Sequence, residues 1–235
     1  MVDVDARSVV AKRGAGSLDE ADGLRRLDEV PGAPPVPEVI HVEPDLLVTS
    51  AIGQTDRSPA HEESLGRTLA ALHQAAFPYW GGGSAWIGHC PVDPARRPDG
   101  ASFYRARLLE LSARCGLQDK VLPVISRLDA LLPPGGPALL HGDLWWGNVL
   151  FGSDGRSWLI DPSVHGGHPE EDLAMLALFG PVPTRLIRAY DEVRPLSPGW
   201  EERTPLFQLY PLLVHAVLFG GGYCARAEEV ARQFT

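Results

Sequence analysis

The segment HGDLWWGN, which runs from His141 to Asn148, and Asp161 in the LIDP that follows decide the fold of this chain. The residues between Asn148 and Asp161 read as a hairpin around Asp154-Gly155, and a hairpin returns the chain to the point where it left. Asn148 and Asp161 are therefore predicted to lie side by side. Their amide and carboxylate oxygens are hard ligands of the kind that magnesium takes in proteins. The alternative is a hairpin whose polar loop residues and Asp-Pro turn carry no chemistry.

The spacing of this segment, His-x-Asp-x4-Asn, is that of a kinase catalytic loop. In such a loop the aspartate faces the acceptor hydroxyl and the asparagine faces magnesium. Asp143 occupies the aspartate position here. In this motif a loop is followed by a hairpin and then by a helix, and the sequence from His141 onward predicts the same order. The spacing therefore predicts a phosphoryl-transfer site.

Composition and charge exclude several other classes of protein. The 235 residues carry a formal net charge of -9 and are 44% hydrophobic, close to an average globular protein. An acidic balance argues against a protein that coats nucleic acid or an anionic membrane. The sequence has no apolar run of transmembrane length and no apolar core of a signal peptide near its start. Cys90, Cys115 and Cys224 are scattered, which argues against a disulfide framework and suits the reducing cytoplasm.

The first 54 residues and the remainder have different patterns, which predicts a small α+β lobe at 1–54 and a larger, mostly helical lobe at 55–235. In the small lobe, Met1–Asp5 and Ser8–Arg13 read as a hairpin. A helix over Ser17–Val30 and two further strands around Glu43-Pro44-Asp45 follow. The linker between the lobes is expected near Ile52–Gln54.

The larger lobe is predicted to begin with a helix at Ser58-Pro59, where serine caps and proline takes the first position. Residues 78–100 hold consecutive glycines and several prolines, so a long irregular loop is expected there. The helix that ends at Gly116 should be followed by one over Val121–Leu132, with Pro123 in its first turn. After the central strands, helices are expected from Pro169 to the C-terminus.

Three segments of the chain resemble the fructosamine-3-kinase (ketosamine kinase) family of the aminoglycoside-phosphotransferase and protein-kinase-like superfamily. HGDLWWGN resembles the family's HGDLW-x-GN, and IDPSVHGGHPEEDLAML resembles its second motif. LFQLYPLLVHAVLFGGGY, from Leu206 to Tyr223, resembles its C-terminal helices. The resemblance implies a two-lobed fold, with a nucleotide-binding N-terminal lobe rich in β-structure and a mainly helical C-terminal lobe for catalysis and substrate.

By this resemblance, Asp143 is the catalytic base, and Asn148 and Asp161 are the magnesium ligands. In a loose transition state the base mainly orients the hydroxyl and accepts its proton late. His141 is expected to brace the catalytic loop rather than take part in the chemistry. Asp172 opens a helix and is expected to anchor the same loop through hydrogen bonds.

The resemblance also implies the residues that hold ATP. VVAKRG resembles the strand that carries the ATP-binding lysine, which makes Lys12 that lysine, and Glu20 on the next helix its partner. The alternative is a solvated surface lysine and an acid favoured by the helix dipole. Adenine should be bound by backbone groups of Thr49, Ser50 and Ala51. Family members often carry an acid in this stretch and this chain does not, but recognition by backbone groups would survive that change.

Trp145 matches the family's tryptophan, which is expected to flank the sugar. Trp146 stands where family members usually carry a small residue, and this difference bears on which acceptor the chain takes. Core packing is the alternative for both side chains. The loop Ala85–Pro91 loosely resembles a family segment near the acceptor.

The chain departs from the family pattern near its start. No glycine-rich segment precedes Lys12, and Gly14 and Gly16 come after it, so the lobe is expected to lack its first strand and its phosphate loop. Either the true start lies upstream or the kinase is shortened. Met1–Asp5 would then be a bare sheet edge, frayed or paired with a second copy, which predicts a monomer or an edge-paired dimer.

Together these features predict a cytoplasmic kinase that uses ATP and Mg²⁺ to phosphorylate a sugar hydroxyl. The expected acceptor is the 3-hydroxyl of a fructosamine or ribulosamine, free or protein-linked, in a deglycation repair reaction. No nucleic-acid or membrane partner is expected. Two alternatives stay open: a small-molecule phosphotransferase of the aminoglycoside type, and a catalytically weak pseudokinase that binds nucleotide.

Overall fold

A computed structural model of the protein describes residues 8–234. Near its N-terminal end, three antiparallel strands form a sheet in the order β1-β3-β2, with one helix beside it. These elements are β1 (Val9–Arg13), α1 (Ser17–Asp28), β2 (Val39–Glu43) and β3 (Leu46–Ser50). The strand, the helix and the second hairpin are therefore confirmed. The strand predicted at Met1–Asp5 lies outside the described residues.

The rest of the described chain is mainly helical, with short strands at its centre. The helices are α2 (Pro59–Gln74), α3 (Gly100–Arg114), α4 (Gln118–Ser126), α5 (Leu128–Leu131), α6 (Glu170–Leu176), α7 (Thr184–Val193), α8 (Trp200–Phe219) and α9 (Gly222–Arg232). The strands are β4 (Trp86–Ile87), β5 (Cys90–Pro91), β6 (Ala138–Leu140), β7 (Val149–Phe151), β8 (Ser157–Leu159) and β9 (His165–Gly167). The antiparallel pairs are β4 with β5, β6 with β9, and β7 with β8.

The helix predicted over residues 121–132 is wrong in its extent. It begins earlier, at Gln118, so Pro123 lies inside α4 rather than in its first turn. It also breaks at Arg127, whose φ of -109° and ψ of 3° are not helical, and α5 begins after it. A proline within a helix removes one backbone hydrogen bond and crowds the preceding turn, which weakens the helix around it.

Two apolar clusters form the core, and their composition bears on the predicted lobes. One is built mainly from α3, α4, α8 and α9. The other joins α1 residues such as Leu24 to α2 residues such as Leu69 and to Leu159 in β8. Because the second cluster continues across residue 54, the boundary there stays a prediction.

The length and hydropathy of the helices have one further consequence. Within residues 8–234, none of the helices, α8 included, combines the length and the apolar content that a membrane crossing requires.

Strand β1 is expected to exchange its amide hydrogens much faster than α8. Among the described residues it pairs only with β3, and all five of its residues are exposed. Residues Leu206–Leu213 of α8, in contrast, are mostly buried. Because local opening follows burial and the solvent exposure of hydrogen bonds, Val9–Arg13 should be among the least protected strands. Hydrogen exchange read by mass spectrometry measures both segments in one sample. Equal protection in a monomeric protein would contradict this expectation.

Candidate active site

The predicted catalytic loop, His141–Asn148, leaves β6 through a glycine that no other residue can replace without strain. Gly142 has a φ of +80°, and a Cβ atom there would lie 2.0 Å from the carbonyl oxygen of Ser163. The chain turns at this point, which separates β6 from β7. Asp143 follows the turn and is half-buried at the base of a cleft.

Asn148 is tied to Asp143 by its side chain. The Asn148 amide nitrogen donates to the Asp143 carbonyl oxygen at 2.8 Å and to its Oδ2 at 3.3 Å. Since the nitrogen is used in this way, the amide oxygen is the atom left to face a cation. The β7–β8 hairpin between Asn148 and Asp161 forms as predicted.

Asp161 follows that hairpin and adopts an unusual backbone conformation. Its φ is +53°, and it is the one non-glycine residue with positive φ among residues 8–234. Aspartate tolerates this region better than most residues do, and such conformations gather at functional sites. Asp161 Oδ2 lies 3.0 Å from the Lys12 ammonium, so the hairpin delivers its carboxylate to the cleft that Lys12 lines.

Lys12 lies between two carboxylates. Its Nζ donates to Glu20 Oε2 at 2.7 Å and also contacts Asp161. Burial lowers the pKa of Lys12, but the hydrogen bond and charge of Glu20 and the charge of Asp161 outweigh it, and the pKa is raised. Burial raises the pKa of Glu20, against the lowering effect of Lys12. The structure therefore brings together the lysine and the glutamate that were predicted to pair.

The carboxyl group of Asp143 lies among other charged groups. Burial raises its pKa to about 7, and the charges of Asp161 and Asp172 act in the same direction. The hydrogen bond from Asn148 and the charge of Lys12 oppose this shift. A cation held beside these carboxylates would lower the pKa again.

His141 and Asp172 hold the predicted catalytic loop in place through hydrogen bonds with its backbone. His141 is fully buried, its Nδ1 accepts from the Asp143 amide at 3.3 Å, and its Nε2 lies 2.9 Å from the Ile160 carbonyl. Both ring nitrogens are used, and burial lowers the pKa of His141, which fits a neutral bracing residue. Asp172 accepts from the His141 amide at 2.8 Å and from the Gly142 amide at 2.9 Å.

Two further buried residues, His73 and Tyr190, support this brace, and the sequence interpretation missed them. His73 Nε2 lies 3.1 Å from Asp172 Oδ2, and its Nδ1 lies 2.8 Å from the Tyr190 hydroxyl. Burial raises the pKa of Asp172, but the hydrogen bond and charge of His73 outweigh this and keep it lowered. The available signal was a histidine four residues after Leu69 on the apolar stripe of α2.

The two tryptophans of the loop point to different places. Trp145 lines the cleft with 39% of its surface exposed, and the six-membered part of its ring lies next to Gly147. Trp146 packs against the core, and the Arg57 guanidinium lies 3.9 Å from its ring centroid. Trp146 does not line the cleft, so having tryptophan where the family usually has a small residue leaves the lining of the cleft unchanged.

The three residues predicted to read adenine do not line this cleft. Thr49 pairs with Val10 across β1 and β3. The Ser50 amide donates to the Glu38 carbonyl at 2.9 Å, and the Ala51 amide donates to the Ser8 carbonyl at 3.0 Å. Two of the backbone donors in this stretch are therefore already used within the protein.

The cleft has a volume of about 300 Å³ and joins the N-terminal part of the chain to the catalytic loop. Ser84 in the loop before β4, Trp86 in β4 and His89 in the turn after it also line the cleft. Ser84 Oγ is buried and, among the described residues, has no hydrogen-bond partner. The Ala85 amide donates to Asp19 Oδ2 at 2.9 Å, which fastens this loop to α1.

The donor set fits a small, hard cation whose remaining ligands come from elsewhere. Asp161 supplies a carboxylate and Asn148 an amide oxygen, both at the same wall of the cleft. Within residues 8–234, no group of three or more His, Cys, Asp or Glu side chains is arranged to hold a metal by itself. A protein usually gives a nucleotide-bound magnesium one or two carboxylates, and the other ligands are phosphate and water oxygens.

Comparisons with known proteins show which family this chain is similar to. A family model described as fructosamine kinase matches residues 15–235. A Thermus thermophilus protein named as a probable ketoamine kinase is 36% identical over 208 residues, which are 87% of this chain and 77% of that protein. A chloroplastic protein-ribulosamine 3-kinase from Oryza sativa is 36% identical over 188 residues, which are 74% of this chain and 54% of that protein.

Solved structures give the same result. A crystal structure from Thermobifida fusca that carries the fructosamine-3-kinase name has a TM-score of 0.90 and 38% identity, and it covers 97% of this chain and 86% of that one. A macrolide 2'-phosphotransferase from Brachybacterium faecium has a TM-score of 0.60 and 19% identity, with 97% and 85% covered. At that identity the second likeness shows the fold alone, which is the two-lobed protein-kinase-like fold predicted above.

Proposed function

The chain belongs to the fructosamine kinase family, and from this we propose that it transfers the γ-phosphate of ATP to the 3-hydroxyl of a ketosamine. The acceptor class is a fructosamine or ribulosamine, either free or linked to a protein amine. Phosphorylation at this position would destabilise the adduct and serve deglycation. The three cysteines are free, which supports a reducing, cytoplasmic location.

One observation carries this proposal: Lys12, Asp143, Asn148 and Asp161 line the same cleft. Phosphoryl transfer needs little covalent help from a protein, so catalysis rests on positioning and on charge stabilisation. Lys12, paired with Glu20 at 2.7 Å, is suited to hold the phosphates of the nucleotide. Asp143 is suited to orient the acceptor hydroxyl and to take its proton late in the transfer.

Magnesium is the cation proposed for the site. Asn148 and Asp161 would hold it, and when bound it would neutralise charge on the transferred phosphoryl group. Lys12 already neutralises part of the Asp161 charge. The net charge that the cation would meet therefore depends on Asp161 and Lys12 together. His141 and Asp172 keep Asp143 in position while these groups act.

Adenine recognition is proposed at Thr49–Ala51, with a restriction set by the geometry. Because the Ser50 and Ala51 amides are engaged, this stretch would have to offer its carbonyl oxygens or rearrange when nucleotide binds. Carbonyl oxygens accept only, so they would favour the amino group of adenine.

ATP turnover with fructosylamines and ribulosylamines tests the function directly. ADP should form only with the ketosamine present, and phosphorus NMR of the product should show a phosphate on the 3-hydroxyl. Phosphorylation of an aminoglycoside instead, or nucleotide binding without ADP, would support the two alternatives left open by the sequence.

Gly147→Ala is expected to raise the KM for the acceptor several-fold, because the new Cβ atom would lie 2.2 Å from the Trp145 ring and displace it. Gly147 has an ordinary φ, so backbone strain does not complicate the result. Gly136→Ala is the matched control, since a Cβ atom there has nothing within 4 Å. Steady-state kinetics on a ketosamine give the comparison, and an unchanged KM for Gly147→Ala would show that Trp145 does not contact the acceptor.

A further inference from the structure

A row of aromatic rings extends from the catalytic loop across the surface. Trp145 lies 5.9 Å from Phe179, and Phe179 lies 5.4 Å from His215, measured between ring centroids. His215 in turn lies 5.8 Å from Phe219 and 4.9 Å from Tyr223. These separations are typical of aromatic pairs that contact each other. We call these five residues the aromatic row.

The turn between α8 and α9 closes the far end of the row. Gly220 has a φ of +62° and Gly221 a φ of +52°, which few other residues adopt. This turn folds α9 back so that Tyr223 reaches His215 and Phe219, whose centroid lies 6.0 Å from that of Tyr223. The GGG of the C-terminal motif therefore has a local use, which is to bring rings from two helices together.

The row is unusual in its exposure. Trp145, Phe179 and Phe219 are 39%, 42% and 67% exposed. Within residues 8–234 these are the three exposed tryptophan and phenylalanine side chains, and all three belong to the row. Exposed apolar residues scattered one by one need no explanation, but a contiguous group marks a binding surface.

The row is also continuous with the active site. Trp145 lines the nucleotide cleft together with Asp143. Asp143 also lines a second, small cavity, together with Tyr210 and His215. The hydroxyl of Tyr210 is buried, with no hydrogen-bond partner among the described residues. A molecule whose reacting hydroxyl lies at Asp143 would therefore extend outward over the row.

We propose that the aromatic row binds the amine side of the ketosamine, meaning the nitrogen and the alkyl stem that carries it, as in a glycated lysine of a peptide. This inference rests on the proposed function and extends it to the part of the substrate that lies beyond the sugar.

The chemistry of that part matches the row. A ketosamine nitrogen is a secondary amine, protonated at neutral pH, on an apolar stem. Aromatic faces attract such cations and also pack against methylene groups. His215 Nδ1 lies 2.7 Å from the Pro211 carbonyl, which can only accept, so Nδ1 carries a proton. In the neutral ring, Nε2 is then an acceptor for the ammonium group.

The test compares two acceptors that share one sugar: fructosyl-lysine within a short peptide and fructosylmethylamine. The readout is the ratio of kcat/KM for the peptide to kcat/KM for the small amine. Both acceptors carry the protonated nitrogen, so the ratio reports the contribution of the alkyl stem. Phe219→Ala should lower this ratio by roughly 2–5-fold, as expected when about one methylene group of the stem loses its packing. Combining it with Phe179→Ala should lower it by roughly 5–20-fold, mostly through the KM of the peptide. Phe219→Tyr retains the ring and should keep the ratio within about twofold.

Leu122→Ala is the control, because Leu122 is an exposed apolar side chain in α4, outside the row. It should leave both acceptors unaffected. If the wild-type protein phosphorylates neither acceptor, the proposed function fails and this inference fails with it. If both acceptors react but Phe219→Ala lowers them equally or not at all, the row does not bind the stem and the proposal is wrong. Self-association of the wild-type protein that Phe219→Ala abolishes would instead identify the row as a contact between copies.

Discussion

Asp143→Asn should lower turnover of a ketosamine by about 10²–10⁴-fold, the usual contribution of a positioned acid–base group. Asparagine has the same shape as aspartate but cannot take the proton of the acceptor hydroxyl. Two hydrogen bonds hold Asp143 in place. Its backbone amide donates to His141 Nδ1, and the Asn148 side chain donates to its carbonyl oxygen. These contacts survive the substitution, so the loop should keep its position and nucleotide should still bind.

Asp129→Asn is the matched control for this variant. Asp129 carries the same carboxylate, but it lies on α5, outside the cleft, in an exposed pair with Arg105 at 3.3 Å. Its turnover should equal that of the wild type, and thermal unfolding should show that both variants are folded. Wild-type turnover in Asp143→Asn would mean that another group takes the proton.

The parts of the site that were predicted from sequence share short separations along the chain. Asp143 and Asn148 are fixed by one loop, and Asp161 returns through one hairpin, so their spacing alone brings them together. Lys12 and Glu20 lie on a strand and the helix directly after it. In each case local geometry leaves few other arrangements.

The parts that were missed depend on contacts between distant segments. His73 contacts Asp172, and Tyr190 contacts His73, only after α2, α6 and α7 have packed together, and no local spacing predicts this. The same holds for Phe179 and His215 in the aromatic row. For Trp146 the sequence leaves core packing open as an alternative, and the structure shows core packing: the 3-10 turn Trp146–Asn148 directs its ring to the core and to Arg57.

The adenine-reading residues show a third limit. Thr49 and Ser50 end β3 and Ala51 follows it, and sequence order does not reveal which amides of this stretch are already bonded. Ser50 and Ala51 donate to carbonyl groups of segments before β1 and β2, and that assignment follows from the register of the sheet.

Asp161→Asn should abolish most of the effect of magnesium on ATP binding, with a loss in metal affinity on the order of 100-fold, since even outer partners of metal ligands cost 10–100-fold. A carboxylate brings a full charge to the metal, whereas an amide brings only a dipole. Asparagine is the appropriate substitute because the φ of +53° at Asp161 suits Asn and disfavours Ala. Asn148→Ala removes a neutral ligand and should therefore cost less.

The sign of the Asp161→Asn effect should reverse when magnesium is removed. Without the metal, the Asp161 carboxylate would face the anionic phosphates and repel them, and Lys12, 3.0 Å away, would offset this in part. Removing that charge should leave ATP affinity in a chelator unchanged or higher, while the same substitution weakens binding in magnesium. Calorimetric titration of ATP in both conditions measures the two effects on one sample. If Asp161→Asn weakens binding equally with and without magnesium, the residue supports the fold of the cleft rather than the metal. The crossover in sign is the result that a purely structural role could not produce, because a loss of structure weakens binding in both conditions.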